Sequence, residues 1–294
     1  VQYDALKTFV TLVEVKNFTK TAEILLMSQP NVSLQIKNLE EELQSKLFIR
    51  SPRKLNLTPT GEFLYERAKQ ILSITEKTKK EILEHQQTVK GIVKIGASFT
   101  IGEYLLPDLL YAVQERYPEL EFQVMIGNTE EIVECVRLFE VDLGLIEGQT
   151  NVKEILVEPF MDDELLIVSS PNHPLAQKQI VTMEDLQDQQ WVRRESGSGT
   201  REYLDHVIRS NGLRVQSYLT ISSNQGIKEI MMNGLGLSLL SYHVIKRELA
   251  QGSLSTLRLK NHAFKRKFSY ILSPIMMNKR NVEAFFEVLH RKWG

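Results

Sequence analysis

Cysteine occurs once in 294 residues, at position 135. One thiol can neither close an internal disulfide nor build a cysteine-rich metal site, so the chain suits a reducing cytoplasm. Long apolar runs are missing as well: Leu235 to Leu240 falls far short of the roughly 18 residues a membrane span requires. Val1 to Lys7 lacks the charged-then-apolar layout of a signal peptide, so export is not expected. With 15 glycines and 9 prolines, a collagen-like or linker-like chain is excluded. The six histidines (85, 173, 206, 243, 262 and 290) show no two-ligand spacing for zinc, so neither a metal nor another cofactor is expected. A net charge of −1 rules out a polycation that coats nucleic acid by bulk electrostatics.

What remains is ordinary globular composition, 42% hydrophobic and 25% charged, at a length that suits two domains of about 150 residues. The charge is uneven. Residues 1–60 hold eight Lys and Arg against six Asp and Glu. The same segment reads as helix: Leu6, Phe9, Val10 and Val13 recur at helical spacing and stop near Asn17-Phe18. Thr19 is the expected cap of a second short helix, and Ser28-Gln29-Pro30 supplies a cap with proline in the first turn of a third. Two short helices across the tight Leu26-Met27-Ser28 link have helix-turn-helix proportions.

On the third helix Val32, Ile36, Leu39 and Leu43 fall on one side at 100° per residue. Pro30, Leu34, Lys37 and Glu41 fall opposite, flanked by Gln29 and Ser33. Such a face, with hydrogen-bonding groups in its first two turns, is what a recognition helix needs in the major groove. Leu34 stands out there as an apolar side chain, placed to meet a thymine methyl or simply exposed. Two apolar runs then bracket a basic Ser-Pro turn, a wing whose Arg50, Arg53 and Lys54 would meet phosphates or the adjacent minor groove. Thr58-Pro59-Thr60-Gly61 opens a long helix reaching about Gln87. Leu64, Ala68, Ile71, Thr75, Thr78, Ile82 and His85 form a coiled-coil seam along it, which predicts a homodimer.

Near Gly91 the texture changes to alternating strands and helices, which predicts a mostly parallel α/β region. Strands are expected at 92–96, 122–126, 143–146, 165–168, 191–193, 218–221, 237–240 and 269–272.

The series Phe18-Thr19-Lys20-Thr21-Ala22-Glu23, Ser28-Gln29-Pro30-Asn31-Val32-Ser33-Leu34-Gln35-Ile36, Leu47-Phe48-Ile49-Arg50 and Leu57-Thr58-Pro59-Thr60-Gly61 resembles the LysR-type transcriptional regulators. The match is dense over the first 65 residues, and length and texture extend it along the chain. The resemblance implies a winged helix-turn-helix over 1–60, a dimerising linker helix over 61–90 and an effector-binding region over 91–294. That last region would resemble periplasmic solute-binding proteins, with one subdomain at about 91–162 and 269–294 and the other at about 163–268. By position, Gln29, Pro30, Ser33, Leu34 and Lys37 would lie at the major groove and Arg53 at the wing tip. Members often carry Arg where this chain has Leu34, a departure that bears on base preference and not on DNA binding. The resemblance further implies promoter DNA as partner, a tetramer built from two dimers and contact with RNA polymerase.

Ligands of parallel α/β sheets gather at the carboxyl ends of strands, where helix N-termini present unpaired N–H groups to anions. Three such exits hold Ser98-Phe99-Thr100, Asn128-Thr129 and Glu147. A fourth segment, Glu195-Ser196-Gly197-Ser198-Gly199-Thr200-Arg201, opens a helix and by family position faces the same cleft. The expected effector residues are therefore Ser98, Phe99, Thr100, Asn128, Thr129, Glu147, Ser196, Gly199, Thr200 and Arg201. Thr100 and Thr200 would be hydroxyl donors to a small dianion such as sulfate, phosphate or a phosphorylated metabolite. That loop looks most like those of members governing sulfur assimilation or carbon fixation.

Enzyme readings fail. Gly197-Ser198-Gly199 lacks the spacing of a nucleophile elbow and the remaining parts of a dinucleotide fingerprint. Cys135 lies among Val133, Val136 and Leu138, as a buried inert thiol would. The rival reading is a cytoplasmic solute-binding module whose first helices only oligomerise. The Ser28–Lys37 face and the basic wing speak against it.

Overall fold

A computed structural model describes residues 1–51, 54–84, 89–150, 152–277 and 279–293. Two compact units divide the chain, Val1–Gln87 and Thr88–Gly294.

The first unit strings together α1 (Tyr3–Val15), α2 (Phe18–Ile24), α3 (Gln29–Glu42), the hairpin β1 (Phe48–Ser51) and β2 (Lys54–Leu57), and α4 (Pro59–Glu84). Asn17, not Thr19, caps α2: its side chain accepts the Lys20 N–H. Phe18 packs on the core, which draws the helix start two residues forward. Ser28 caps α3 by accepting the Asn31 N–H, with Pro30 in the first turn. Leu26, at φ 53°, makes the sharp turn between them. Leu6, Phe9, Leu12, Ile36, Leu39 and Phe48 close the core, the Phe9 and Phe48 rings 5.5 Å apart.

The seam expected on α4 is only partly free. Ala68 is buried in this unit's own core and Leu64 packs beside it, because α1 lies along the first turns of α4. Phe63 and Ile71 are the large apolar side chains α4 exposes among the described residues, at 62% and 46%. Thr78 is exposed too, while the Ile82 side chain and His85 lie outside the described residues.

The second unit runs β3 (Gly91–Ser98), α5 (Phe99–Tyr104), α6 (Leu106–Arg116), β4 (Leu120–Gly127), α7 (Thr129–Arg137), β5 (Leu143–Glu147) and β6 (Leu156–Ser169). It continues with β7 (Gln189–Arg193), α8 (Gly199–Ser210), β8 (Val215–Thr220), α9 (Asn224–Met232), β9 (Ser238–Ser241), α10 (Tyr242–Ala250), β10 (Ser255–Thr256), β11 (Phe264–Leu272) and α11 (Arg280–Trp293). Among the described strands the parallel ladders are β3 with β4 and β5, and β7 with β8, with isolated parallel bridges at Val181–Leu259 and Trp191–Leu237. The main sheet is otherwise antiparallel, in the order β10-β6-β11-β5-β3-β4 with β9 also on β6.

β6 and β11 are far longer than the four-residue strands expected at 165–168 and 269–272. Part of the extra length is charged, and those charges face each other: Lys265 opposite Glu164, Arg266 opposite Asp163, Lys267 opposite Asp162. Such pairs stabilise a ladder without leaving an apolar alternation to read. The register slips between Phe268 and Ser269, where the partner strand carries Pro159, which has no N–H to give. These two strands pass between two lobes. One contains β3 to β5, α5 to α7 and α11; the other, built around the fully buried Trp191, contains β7 to β10 and α8 to α10.

Candidate functional site

The exposed face of α3 is a shallow concavity lined by Gln29, Pro30, Ser33, Leu34, Lys37, Glu40, Lys46 and Phe48. All five residues expected on the recognition helix are therefore together. Leu34 is 52% exposed amid polar neighbours, and Gln29 donates to the Ser33 hydroxyl at 3.0 Å. Lys46, an addition that periodicity could not supply, is held by the Glu40 carboxylate at 2.7 Å. Arg50 and Lys54 flank the wing turn, on β1 and β2 respectively. Their side chains, and Arg53 as a whole, lie outside the described residues.

Glu40 fixes the wing to α3. Its other oxygen accepts the Leu47 N–H at 2.9 Å and the Phe48 N–H at 3.4 Å. Burial works to raise its pKa, but Lys46 and these two N–H groups outweigh it and hold the carboxyl below its ordinary value. A depressed carboxylate lends stability above its unfolded pKa, and that stability is lost as pH falls through the folded value. Glu40→Gln should therefore destabilise the first unit by about 1–2 kcal/mol at neutral pH, with the deficit closing in acid. Both tryptophans, 191 and 293, lie in the second unit, which also carries helices, so the part of the helical circular dichroism that does not follow tryptophan fluorescence reports the first. A deficit of equal size at neutral and acid pH would contradict the role given to the charge.

In the second unit the carboxyl ends of β3, β4 and β5 lie side by side, and the loop before α8 closes on them. Gly199 makes the closest approach: a Cβ there would sit 1.9 Å from the Glu147 carbonyl oxygen. Gly197, at φ +84°, carries the loop over α7 and accepts the Glu130 N–H. The glycines thus let the backbone approach a facing strand end.

Several of the expected effector residues are engaged within the protein. Asn128 closes a capping box with Glu131, and Thr129 donates to the Glu147 carbonyl at 2.7 Å. The Thr200 hydroxyl accepts from Arg266 at 3.0 Å and lies 3.4 Å from Glu147 Oε2. Arg201 turns along its own helix to Asp205, and Ser196 is exposed.

Among the described residues three buried serine hydroxyls have no partner: Ser238 Oγ on β9, and beside the cleft Ser98 Oγ, 0% exposed, and Ser198 Oγ, 1% exposed. Each of the latter two occupies the N-cap of its helix, α5 and α8, without capping it. Thr100 is buried in the first turn of α5, and the Phe99 ring lies 4.6 Å beneath the Arg194 guanidinium. Ser198 carries no mark of its own in the sequence of its loop, since nothing in composition separates an idle cap from a working one.

The cations around this cleft were also not foreseen. Arg194 is held by both oxygens of Glu195 at 2.8 Å and by Asn224 at 3.0 Å. Arg266 bridges Glu147 at 2.5 Å and Asp163 at 2.7 Å, and Ser241 donates to Asp163 at 2.6 Å. Burial pushes the Asp163 carboxyl up, and Arg266 and Ser241 only partly offset it. Burial likewise raises the Glu103 carboxyl against the pull of Arg194. Among the described residues no group of three or more His, Cys, Asp or Glu could hold a metal, and no helix is long and apolar enough to cross a membrane.

Comparisons with known proteins agree across the chain. Residues 3–62 match the family described as "Bacterial regulatory helix-turn-helix protein, lysR family", and residues 86–294 match "LysR substrate binding domain". The HTH-type transcriptional regulator CysL of Bacillus subtilis (strain 168) is 56% identical over 287 residues, 98% of this chain and 96% of that protein. Full-length OxyR from Pseudomonas aeruginosa shares the fold, with TM-score 0.73 at 23% identity over 98% of this chain and 94% of its own. The CcmR regulatory domain of Synechocystis PCC6803, solved in complex with 2-PG, covers 69% of this chain and 98% of its own. Its TM-score is 0.62 at 27% identity.

Proposed function

Because the chain belongs to the LysR family of transcriptional regulators, we propose that α3 reads the major groove through Gln29, Pro30, Ser33, Leu34 and Lys37, with Arg50, Arg53 and Lys54 on the flanking backbone. The observation that carries this is the polar, exposed face of α3, which gathers those five residues and Lys46 into one concavity. Two heads are needed to cover two half-sites, and the exposed Phe63, Ile71 and Thr78 of α4 supply a stripe for a second copy. Two such dimers form the tetramer that meets promoter DNA and RNA polymerase in the cytoplasm. No catalytic role is assigned.

The effector is a small oxyanion seated at the N-terminus of α8. Ser198 carries this reading: a helix of 12 residues begins with a buried hydroxyl that takes no hydrogen bond within the protein. Anions favour such termini, where N–H groups and the positive dipole end converge. Ser98, the N-cap of α5 in the other lobe, is likewise buried with no partner. The CcmR regulatory domain, solved in complex with 2-PG, supports a small-molecule effector for the second unit.

DNA selection with the full chain tests the first part. Leu34→Ser should cost about 1 kcal/mol at a single base pair while leaving non-specific binding intact. Arg53→Ala should weaken every sequence alike and flatten the log–log salt slope by about one unit. A uniform loss with Leu34→Ser, or an unchanged slope with Arg53→Ala, removes that residue from the interface.

A further inference from the structure

The cleft is poor in available positive charge. Each buried cation beside it already has a carboxylate: Arg194 has Glu195, Arg266 has Glu147 and Asp163, and Lys228 has Glu248 at 2.6 Å. Glu103 adds a further acid near Arg194 and Glu147. The two serine hydroxyls that begin α5 and α8 without a partner, Ser98 Oγ and Ser198 Oγ, are neutral. A dianion placed among more carboxylates than cations meets uncompensated repulsion in a medium that screens it weakly.

Glu147 lies closest to the seat. It ends β5, beside the strand that ends at Ser98, and its carbonyl touches Gly199. Its Oε2 meets Arg266 and the hydroxyl of Thr200 in the first turn of α8. Among the described hydrogen bonds Oε1 takes none, although the residue is only 2% exposed. A carboxylate oxygen in that position accepts a proton and repels a lone pair.

We infer that Glu147 is a specificity-determining contact that selects a proton-bearing oxyanion, its Oε1 accepting the ligand's O–H while the α8 N-terminus and Ser198 hold the unprotonated oxygens. This rests on the reading of α8 as the anion seat. A fully deprotonated ion such as sulfate offers Glu147 only lone pairs. Phosphate keeps a proton to donate throughout the neutral range, and a second one below about pH 6–7.

Titration calorimetry on the full chain, with inorganic phosphate and sulfate at matched ionic strength, tests this. Phosphate should bind at least about tenfold tighter than sulfate, the effect of leaving one carboxylate acceptor unmatched against the ligand. Its affinity should fall as pH rises from about 6 to 8, as the ion loses a proton and gains charge. Glu147→Gln, whose amide can donate, should narrow the gap by gaining sulfate. If sulfate binds wild type as tightly as phosphate, and Ser198→Ala loses both, the selection by Glu147 is wrong and the anion seat stands. If neither ion binds wild type, the anion seat itself fails. Should Glu147→Gln not fold, the wild-type pH series decides: phosphate affinity independent of pH overturns the proposal.

Discussion

Arg266→Leu is expected to destabilise the second unit by about 3–5 kcal/mol, the largest effect of any single substitution considered. The side chain is 5% exposed and holds three groups at once: Glu147 from one lobe, Asp163 on the neighbouring crossing strand and Thr200 at the start of α8. Leucine fills most of the volume but leaves two buried carboxylates with no counter-charge. Removing one partner of a buried ion pair costs far more than never having made it, because the desolvation penalty of the remaining charge is uncompensated. Two corollaries distinguish this from a packing defect. Adding Asp163→Asn and Glu147→Gln should restore a substantial part of the loss, a coupling that a double-mutant cycle measures. Urea unfolding followed by the fluorescence of Trp191 and Trp293 should shift, while the helical signal of the first unit stays in place. If the triple variant is no more stable than Arg266→Leu alone, charge compensation is not what Arg266 provides.

Ser98→Ala combined with Ser198→Ala should abolish the thermal stabilisation that phosphate confers on the full chain. At 100-fold excess over the dissociation constant that gain is about 2.7 kcal/mol. The serines replace the Thr100 and Thr200 pair suggested by the sequence, because the Thr200 hydroxyl is already tied to Arg266 and Glu147. The sign of the effect without ligand is the safeguard. Each buried serine hydroxyl lacks a partner, so alanine removes an unmet polar group and the unliganded protein should melt no lower than wild type. Loss of the anion response in a chain of undiminished stability can only come from the seat. A double variant stabilised as fully as wild type would place the seat elsewhere.

The parts of the molecule that were legible are those governed by short-range rules. Ser28-Gln29-Pro30 announces a helix start through its own chemistry, and Val32, Ile36 and Leu39 reveal the buried side by spacing alone. The face opposite follows from them. Thr19 misled because Asn17 competed for the same cap, and Phe18, by packing on the core, decided in favour of Asn17. Leu64 and Ala68 misled because helical spacing does not say which neighbour a stripe meets. Long-range pairings were invisible. Arg266 gains its meaning from Asp163 and Glu147, distant in sequence, and the charged halves of β6 and β11 read as loop until they face each other. In the cleft, residue type did not reveal the local geometry: Gly199 answers to a facing carbonyl, and Ser198 begins α8 without making its cap bond.

The position of β11 bears on how the chain is made. It lies between β6 and β5 in the main sheet, and its pairing of Leu272 with Leu156 joins residues more than about a hundred positions apart. Contacts of that separation form slowly, whereas the first unit is built from neighbouring helices and a hairpin. Synthesis proceeds from the N-terminus at about 5–20 residues per second, and domains fold as they emerge. A ribosome that has not yet released residues 264–272 therefore holds a chain whose DNA-reading head is finished while its receptor sheet is still in two pieces.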